Sequence, residues 1–294
     1  MSVETHFPPW LRRPLGVTGR WQATTDTVRA LALTTICESA RCPNLGECWS
    51  HGNVSFMILG ERCTRRCAFC AVTTGRPTPV DPEEPQRLAE AIVRLQVRYV
   101  VITAPARDDL PDEGAGQFAA AIRAVRGRAP AVGVEVLTPD FHARPELIAQ
   151  VLEAGPDVYS HNVETVRRLS PAIRPQARHE RSLAVLELAR RLGQGRVIPK
   201  SGFMVGFGEH PDEVRHLMRE LRQVGCEVLT IGQYLQPTLR QRAVAAFVPP
   251  ETFAEYRRWG LALGFRHVAS GPYVRSSYNA FEAMTRHSWR QEDP

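Results

Sequence analysis

Val54-Ser-Phe-Met-Ile-Leu59-Gly-Glu-Arg-Cys63-Thr-Arg-Arg-Cys67-Ala-Phe-Cys70 is the stretch from which the fold can be read. Residues 54–59 form a short apolar run, the pattern of a buried strand. Three cysteines spaced C-x3-C-x2-C follow at the strand's C-terminal end. Downstream, apolar runs and amphipathic segments alternate. Asp81-Pro-Glu-Glu84 predicts a helix start, with Asp81 as cap, Pro82 in the first turn and Glu84 closing a capping box. Leu88, Ala91, Ile92 and Leu95 then share one helical face. Further strands are expected at 99–103, 132–137, 157–163, 196–205 and 227–231, with a last short one at 266–269. Helices are expected at 115–126, 145–153, 179–191, from His210-Pro211 onward, and at 251–262. Six βα units in series imply a parallel sheet with right-handed crossovers. Six is fewer than the eight of a closed barrel. The expected fold is therefore α/β, a partial (β/α)6 TIM-like barrel with its chemistry at the C-terminal strand ends. Residues 1–53 are expected to form an irregular, loop-rich N-terminal arm, 54–270 the barrel, and 271–294 a closing segment.

The chain has 294 residues, 43% apolar and 23% charged, an ordinary globular balance that excludes disorder, collagen and coiled coil. No run of 18 apolar residues occurs, so no membrane helix is expected. The first twenty residues lack the apolar stretch of a secretory signal, and Glu4 with the prolines and Trp10 argues against a transit peptide; a cytoplasmic protein is expected. The net charge is +6, and every basic residue except Lys200 is arginine. A base-composition bias accounts for that, and the surplus also suits an acidic partner. No nucleic-acid motif is present, and neither nucleic acid nor membrane is expected as a partner.

Six of the seven cysteines lie between positions 37 and 70, while Cys226 sits in an apolar stretch and reads as core. Clustered cysteines without a secretory signal point to metal or redox chemistry. Cys63, Cys67 and Cys70 can each bind one iron of a cubane [4Fe–4S] cluster and leave the fourth iron open to a small ligand. A structural zinc site calls for four ligands, often as two C-x2-C knuckles, and only one such knuckle is present. Cys37-Glu-Ser-Ala-Arg-Cys42-Pro-Asn-Leu-Gly-Glu-Cys48 is a second trio, C-x4-C-x5-C. Two trios suggest two clusters, whereas an electron carrier would supply four cysteines for each.

C-x3-C-x2-C after the first strand of a βα barrel, with Phe69 before the last cysteine, resembles the radical S-adenosylmethionine superfamily. The joint presence of the C-x4-C-x5-C segment, Arg107-Asp-Asp-Leu110, His161-Asn-Val-Glu-Thr-Val166, Lys200-Ser-Gly202, Leu229-Thr-Ile-Gly-Gln-Tyr-Leu-Gln-Pro237 and Arg275-Ser-Ser-Tyr278 is closer still to its lipoyl synthase family. That resemblance covers roughly residues 30–283. It implies that the Cys63/Cys67/Cys70 cluster binds S-adenosylmethionine and cleaves it to a 5′-deoxyadenosyl radical. The radical abstracts hydrogen from C6 and C8 of an octanoyl chain on a carrier-domain lysine. The carrier would be a dehydrogenase lipoyl domain or the glycine cleavage H protein, and the electron donor a ferredoxin or flavodoxin. A second [4Fe–4S] cluster, on Cys37, Cys42 and Cys48 with Ser277 as fourth ligand, would donate both sulfur atoms.

Other residues are assigned by position. Phe69 is placed beside the adenine, Asn162 and Glu164 near the ribose, and Lys200 toward the cofactor carboxylate or a site acid. The plain alternatives are packing for Phe69 and an ion pair for Lys200. Arg65 and Arg66 are surface charges or meet an acidic carrier. Three departures from the family pattern stand out: Ala104-Pro-Ala106 before Arg107, Arg240 and Gln241 after Pro237, and Asn279 after Tyr278. The competing functions are another sulfur-inserting radical enzyme, a paralogue, or an iron–sulfur carrier.

Overall fold

A computed structural model of the chain describes residues 7–12, 17, 19–278 and 280. Its strands are β1 (Thr34–Thr35), β2 (Ser55–Met57), β3 (Arg62–Cys63), β4 (Thr73–Thr74), β5 (Tyr99–Thr103), β6 (Gly133–Leu137), β7 (Val158–Ser160), β8 (Ile198–Val205), β9 (Val228–Gln233) and β10 (His267–Gly271). Eight of them form one sheet in the order β1-β2-β5-β6-β7-β8-β9-β10, and β3 pairs with β4 in a second. From β2 to β10 every neighbour is parallel; only β1 runs antiparallel to β2. No pairing joins β10 back to β1 among the described residues, so the barrel stays open. The six expected strands of the barrel and the short last one are all present. The two-residue antiparallel β1 at the rim is an addition that no sequence period announces.

Helices α1 (Trp21–Ala30), α2 (Ile36–Ser39) and α3 (Leu45–Ser50) precede the barrel; α4 (Glu84–Leu95), α5 (Ala115–Arg128), α6 (Pro145–Glu153), α7 (Ser170–Ile173), α8 (His179–Gly193), α9 (Pro211–Gln223) and α10 (Pro250–Ala262) belong to it. Leu88, Ile92, Phe118, Ile122, Ile148 and Val151 pack with Phe56, Ile102 and Val136 in one core; Val214, Leu217 and Met218 pack with Leu229 and Ile231 in another.

Two expectations are corrected. The arm is not irregular over its first thirty residues, because α1 forms there. Its three threonines and Val28 are poor helix formers. Packing supplies what propensity does not: Trp21 and Trp49 rings lie 5.3 Å apart, and the Thr24 hydroxyl reaches the Trp49 carbonyl at 3.1 Å. The helix expected to be capped by Asp81 starts two residues late, with Glu83 as its cap. Asp81 accepts the Glu83 N–H at 2.9 Å in a separate turn, and Pro85, not Pro82, lies in the first turn of α4. Glu84 closes no capping box. It turns inward, accepting the Leu59 N–H at 2.9 Å and the Gln117 amide at 3.1 Å, because burial makes those donors need an acceptor.

Candidate active site

The loop after β2 carries the first trio. Pairing of β3 with β4 closes it, and the Ala68 N–H donates to the Ile173 carbonyl at 2.8 Å. Cys63 Sγ accepts from the Arg65 and Ala106 N–H groups at 3.4 and 3.3 Å. The Ala106 carbonyl in turn accepts from Thr64 N and Oγ1 at 3.1 and 3.0 Å. Ala106 therefore meets the cysteine loop through backbone groups, so the departure at that position leaves this contact intact.

Cys63, Cys67 and Cys70 line a cavity of about 350 Å³ at the C-terminal strand ends, with Phe69, Asn162 and Glu164 on its walls. Cys37, Cys42 and Cys48 line a second cavity of about 310 Å³. Cys37, Cys42, Arg275 and Ser277 line both. None of the seven cysteines is in a disulfide. Burial pushes the Cys37 and Cys67 thiols up to about 11 and Cys70 to about 12, so these sulfurs stay protonated unless a cation compensates the thiolate. Burial likewise raises Cys42, opposed by the nearby Arg275 guanidinium.

The donor set separates a cluster from a single ion. One tetrahedral zinc with bonds of about 2.3 Å draws its sulfurs to within about 4 Å of each other. Among the described residues, the group of His, Cys, Asp and Glu atoms lying within 4.8 Å of one another is Asp108, Glu113 and His142; neither cysteine trio closes that far. Thiols converging on a common cavity at wider spacing fit a cubane, in which each binds a different iron.

Arg275-Ser-Ser-Tyr278 runs across the strand ends between the two trios. Ser276 is its anchor: Asn162 Nδ2 donates to its Oγ at 2.7 Å, and Lys200 Nζ donates to its carbonyl at 2.7 Å. Tyr278 reaches Glu47 at 3.0 Å, and Asn44 donates to the Tyr273 carbonyl at 2.7 Å, joining the segment to the arm. The Ser277 hydroxyl makes no hydrogen bond to a described residue. Close approach requires glycines on the strands below. A Cβ at Gly202 would lie 3.1 Å from Ser276 Oγ, and one at Gly232 would lie 2.1 Å from the Val274 carbonyl oxygen. Gly232→Ala is expected to lift the segment and destabilise the protein by about 1–3 kcal/mol. A thermal melt reads the loss, and faster limited proteolysis around 274 locates it.

Lys200 is not part of either cavity wall. Only 2% exposed, its ammonium meets fully buried Glu135 at 2.8 Å, whose same oxygen accepts the Tyr99 hydroxyl at 2.7 Å. The structure thus brings the six clustered cysteines, Phe69, Asn162, Glu164 and Ser277 to the cavities and leaves Lys200 behind the closing segment. Asn162 bridges Ser276 and Glu164, while its Oδ1 is buried without a partner. Glu164, at a left-handed φ of 65°, is raised by burial.

The polar frame under the first cavity was not singled out from the sequence. Arg65 is buried, not a surface charge: it bridges Asp108 at 2.6 Å and Asp140 at 2.8 Å. Arg65 holds the buried Asp140 carboxyl far below the usual carboxylate range. Arg174 is buried beside Cys67 and Glu164, donating to the Val163 carbonyl at 2.8 Å. His161 sits between the Thr138 carbonyl at 2.9 Å and Ser182 Oγ at 3.0 Å. A carbonyl only accepts, so Nδ1 carries the proton and Nε2 accepts from the serine. Burial, with Arg174 adding, pushes this imidazole down to about 4. A folded value below the unfolded one of about 6.5 means the unfolded chain binds the proton first. His161 is therefore expected to contribute about 3 kcal/mol above pH ~6.5, lost as pH falls toward ~4. Denaturant melts of the metal-free chain across that window check this; His161→Gln should flatten the slope.

The sequence pattern of the radical SAM superfamily matches residues 57–221. Lipoyl synthase of Thermus thermophilus is 52% identical over 280 residues, 95% of this chain and 86% of that protein. Lipoyl synthase of Pyrobaculum calidifontis is 52% identical over 281 residues, covering 94% and 96%.

The chain belongs to the lipoyl synthase family.

Solved structures agree on the fold. Methylornithine synthase superposes with a TM-score of 0.55 at 13% identity over 84% of this chain and 82% of that one. The FeFe-hydrogenase maturase HydG of Carboxydothermus hydrogenoformans gives 0.59 at 13% identity over 73% and 53%. Membership of the lipoyl synthase family brings a [4Fe–4S] cluster, S-adenosylmethionine and a lipoyl carrier protein as substrate. No helix among the described residues is long and apolar enough to cross a membrane.

Proposed function

We propose that the chain inserts two sulfur atoms, at C6 and C8, into an octanoyl chain held on a lysine of a carrier domain. Cys63, Cys67 and Cys70 hold the S-adenosylmethionine cluster in this reading; Cys37, Cys42, Cys48 and Ser277 hold an auxiliary [4Fe–4S] cluster. When bound, the first cluster supplies the electron that cleaves the sulfonium and the second supplies the sulfur. The observation that carries the reading is the shared wall: Cys37, Cys42, Arg275 and Ser277 border both cavities, so one substrate chain can meet both centres.

The chain's own residues divide the remaining work. Phe69 offers a flat apolar face on the cavity wall for the adenine, and the unpartnered Asn162 Oδ1 and buried Glu164 offer acceptors for ribose hydroxyls. Arg174 balances the charge of Glu164 and Cys67. The Arg275-Ser-Ser-Tyr278 segment covers the strand ends and excludes water from a reactive centre. The carrier is a dehydrogenase lipoyl domain or a glycine cleavage H protein, the electron donor a ferredoxin or flavodoxin, and the compartment the cytoplasm.

The test is anaerobic reconstitution followed by incubation with dithionite, S-adenosylmethionine and an octanoyl-lysine peptide. About eight irons per chain, 5′-deoxyadenosine and a dithiolated peptide are expected. About four irons, or no cofactor cleavage, overturns the two-cluster reading.

A further inference from the structure

The mouth of the first cavity is basic, and one aliphatic side chain stands out from it. Leu239 is 96% exposed. Its loop is nevertheless well tied. Thr238 and Gln236 both bond Gln241, the Tyr234 hydroxyl donates to the Arg242 carbonyl at 2.6 Å, and the Arg242 N–H donates to the Ala68 carbonyl at 2.8 Å. Gln241 also donates to the Cys70 carbonyl at 3.1 Å, so the loop is fastened directly onto the cysteine loop. A chain held by this many bonds does not expose a leucine through slackness.

Charge on the two loops is one-sided. Residues 62–80 and 234–249 contain no Asp or Glu. Arg62, Arg66, Arg76, Arg240 and Arg242 are all exposed, and none forms an ion pair among the described residues. Some arginines elsewhere meet acids, as Arg168 meets Glu213 at 2.8 Å and Arg126 meets Asp157 at 2.7 Å, whereas others such as Arg257 and Arg258 on α10 form no ion pair among the described residues; the rim differs in having no acid on either loop. From this rim Val72, Leu235 and Pro237 of the same loops lead inward along the cavity wall.

We propose that the rim formed by Leu239, Arg240, Arg242 and Arg66 docks an acidic face of the acyl-carrying domain, so that its octanoyl arm enters past Val72, Leu235 and Pro237. This rests on the function proposed above. Unpaired arginines steer and orient an acidic protein surface, and a rigid, exposed leucine amid them suits a protein face, which offers an apolar pocket, over a phosphate backbone, which offers none.

The experiment separates docking from chemistry. The double variant Leu239→Glu/Arg240→Glu and a control of similar charge change, Arg257→Glu/Arg258→Glu on α10, are compared with the parent after cluster reconstitution. Binding of an octanoylated lipoyl carrier domain of net negative charge is measured by calorimetry at low and physiological salt. Turnover is measured on that domain and on a short octanoyl-lysine peptide. The expected result is a loss of roughly tenfold or more in carrier affinity for the rim variant, greater at low salt, with peptide turnover and iron content unchanged and the control near the parent. Equal carrier affinity in parent and rim variant overturns the docking surface, as does equal loss in the control. Tight binding of a random oligonucleotide through the same residues, with carrier binding unaffected, overturns it too. Loss of carrier binding alongside absent peptide turnover in the parent keeps the surface and sinks the reading on which it rests.

Discussion

Ser277→Ala is expected to cleave S-adenosylmethionine to 5′-deoxyadenosine at near-parental rate while dithiolated product falls by roughly 100-fold or more. Two adjacent serines divide the labour. Ser276 is committed, its hydroxyl to Asn162 and its carbonyl to Lys200. Ser277 borders both cavities beside Cys37 and Cys42, with its hydroxyl bonded to no described residue. Were Ser277 to hold an iron of the proposed auxiliary cluster, its hard oxygen would be a weaker, more exchangeable ligand than the thiolates of Cys37, Cys42 and Cys48. Ser277→Cys should accordingly hold iron at least as well and still slow product formation, because a soft ligand does not let go. Iron counted before and after one turnover, with both products quantified by mass spectrometry, checks all three outcomes. Normal product from the alanine variant removes Ser277 from the ligand set.

Lys200→Met is expected to lower stability by about 3–5 kcal/mol, because Glu135 would be left charged and buried with one partner gone. The same change frees the Ser276 carbonyl, so the auxiliary site should also lose iron, from about eight per chain toward about four. A merely structural role predicts that stability and iron recover together. The double variant Lys200→Met/Glu135→Leu separates the two: it replaces the ion pair with apolar groups and should regain most of the melting temperature. It cannot restore the bond to Ser276, so iron content should stay low. Full recovery of iron in the double variant would show that Lys200 does not position the segment. Lys200→Arg is expected to fail as well, since a planar fork does not fit where one compact ammonium meets two oxygens.

Much of the architecture could be read locally. The helices at 145–153 and 179–193 and the strands around 99–103, 133–137 and 228–233 announce themselves by period, because each buries one face or both in a sheet covered by helices. The α1 helix could not be read, since its threonines disfavour it and packing compensates, with Thr24 on Trp49 and Val28 in the core. The start of α4 was displaced because Glu84 answers to Leu59, a residue 25 positions away in sequence.

Local pattern alone carries the alternation that makes a parallel sheet, the count of strands that leaves it open, and the two cysteine trios with their spacings. These are properties of near neighbours in the chain, and hydrophobic period and ligand spacing express them directly. Contacts made in the folded chain settle which of two serines is the anchor, that the single lysine pins the closing segment from behind, that Arg65 is buried under the cysteine loop, and that Ala106 acts through its backbone. Each of those depends on partners 43 to 114 residues apart that meet only when parallel strands bring their ends together. Once there, low dielectric and scarce water decide which polar groups must pair.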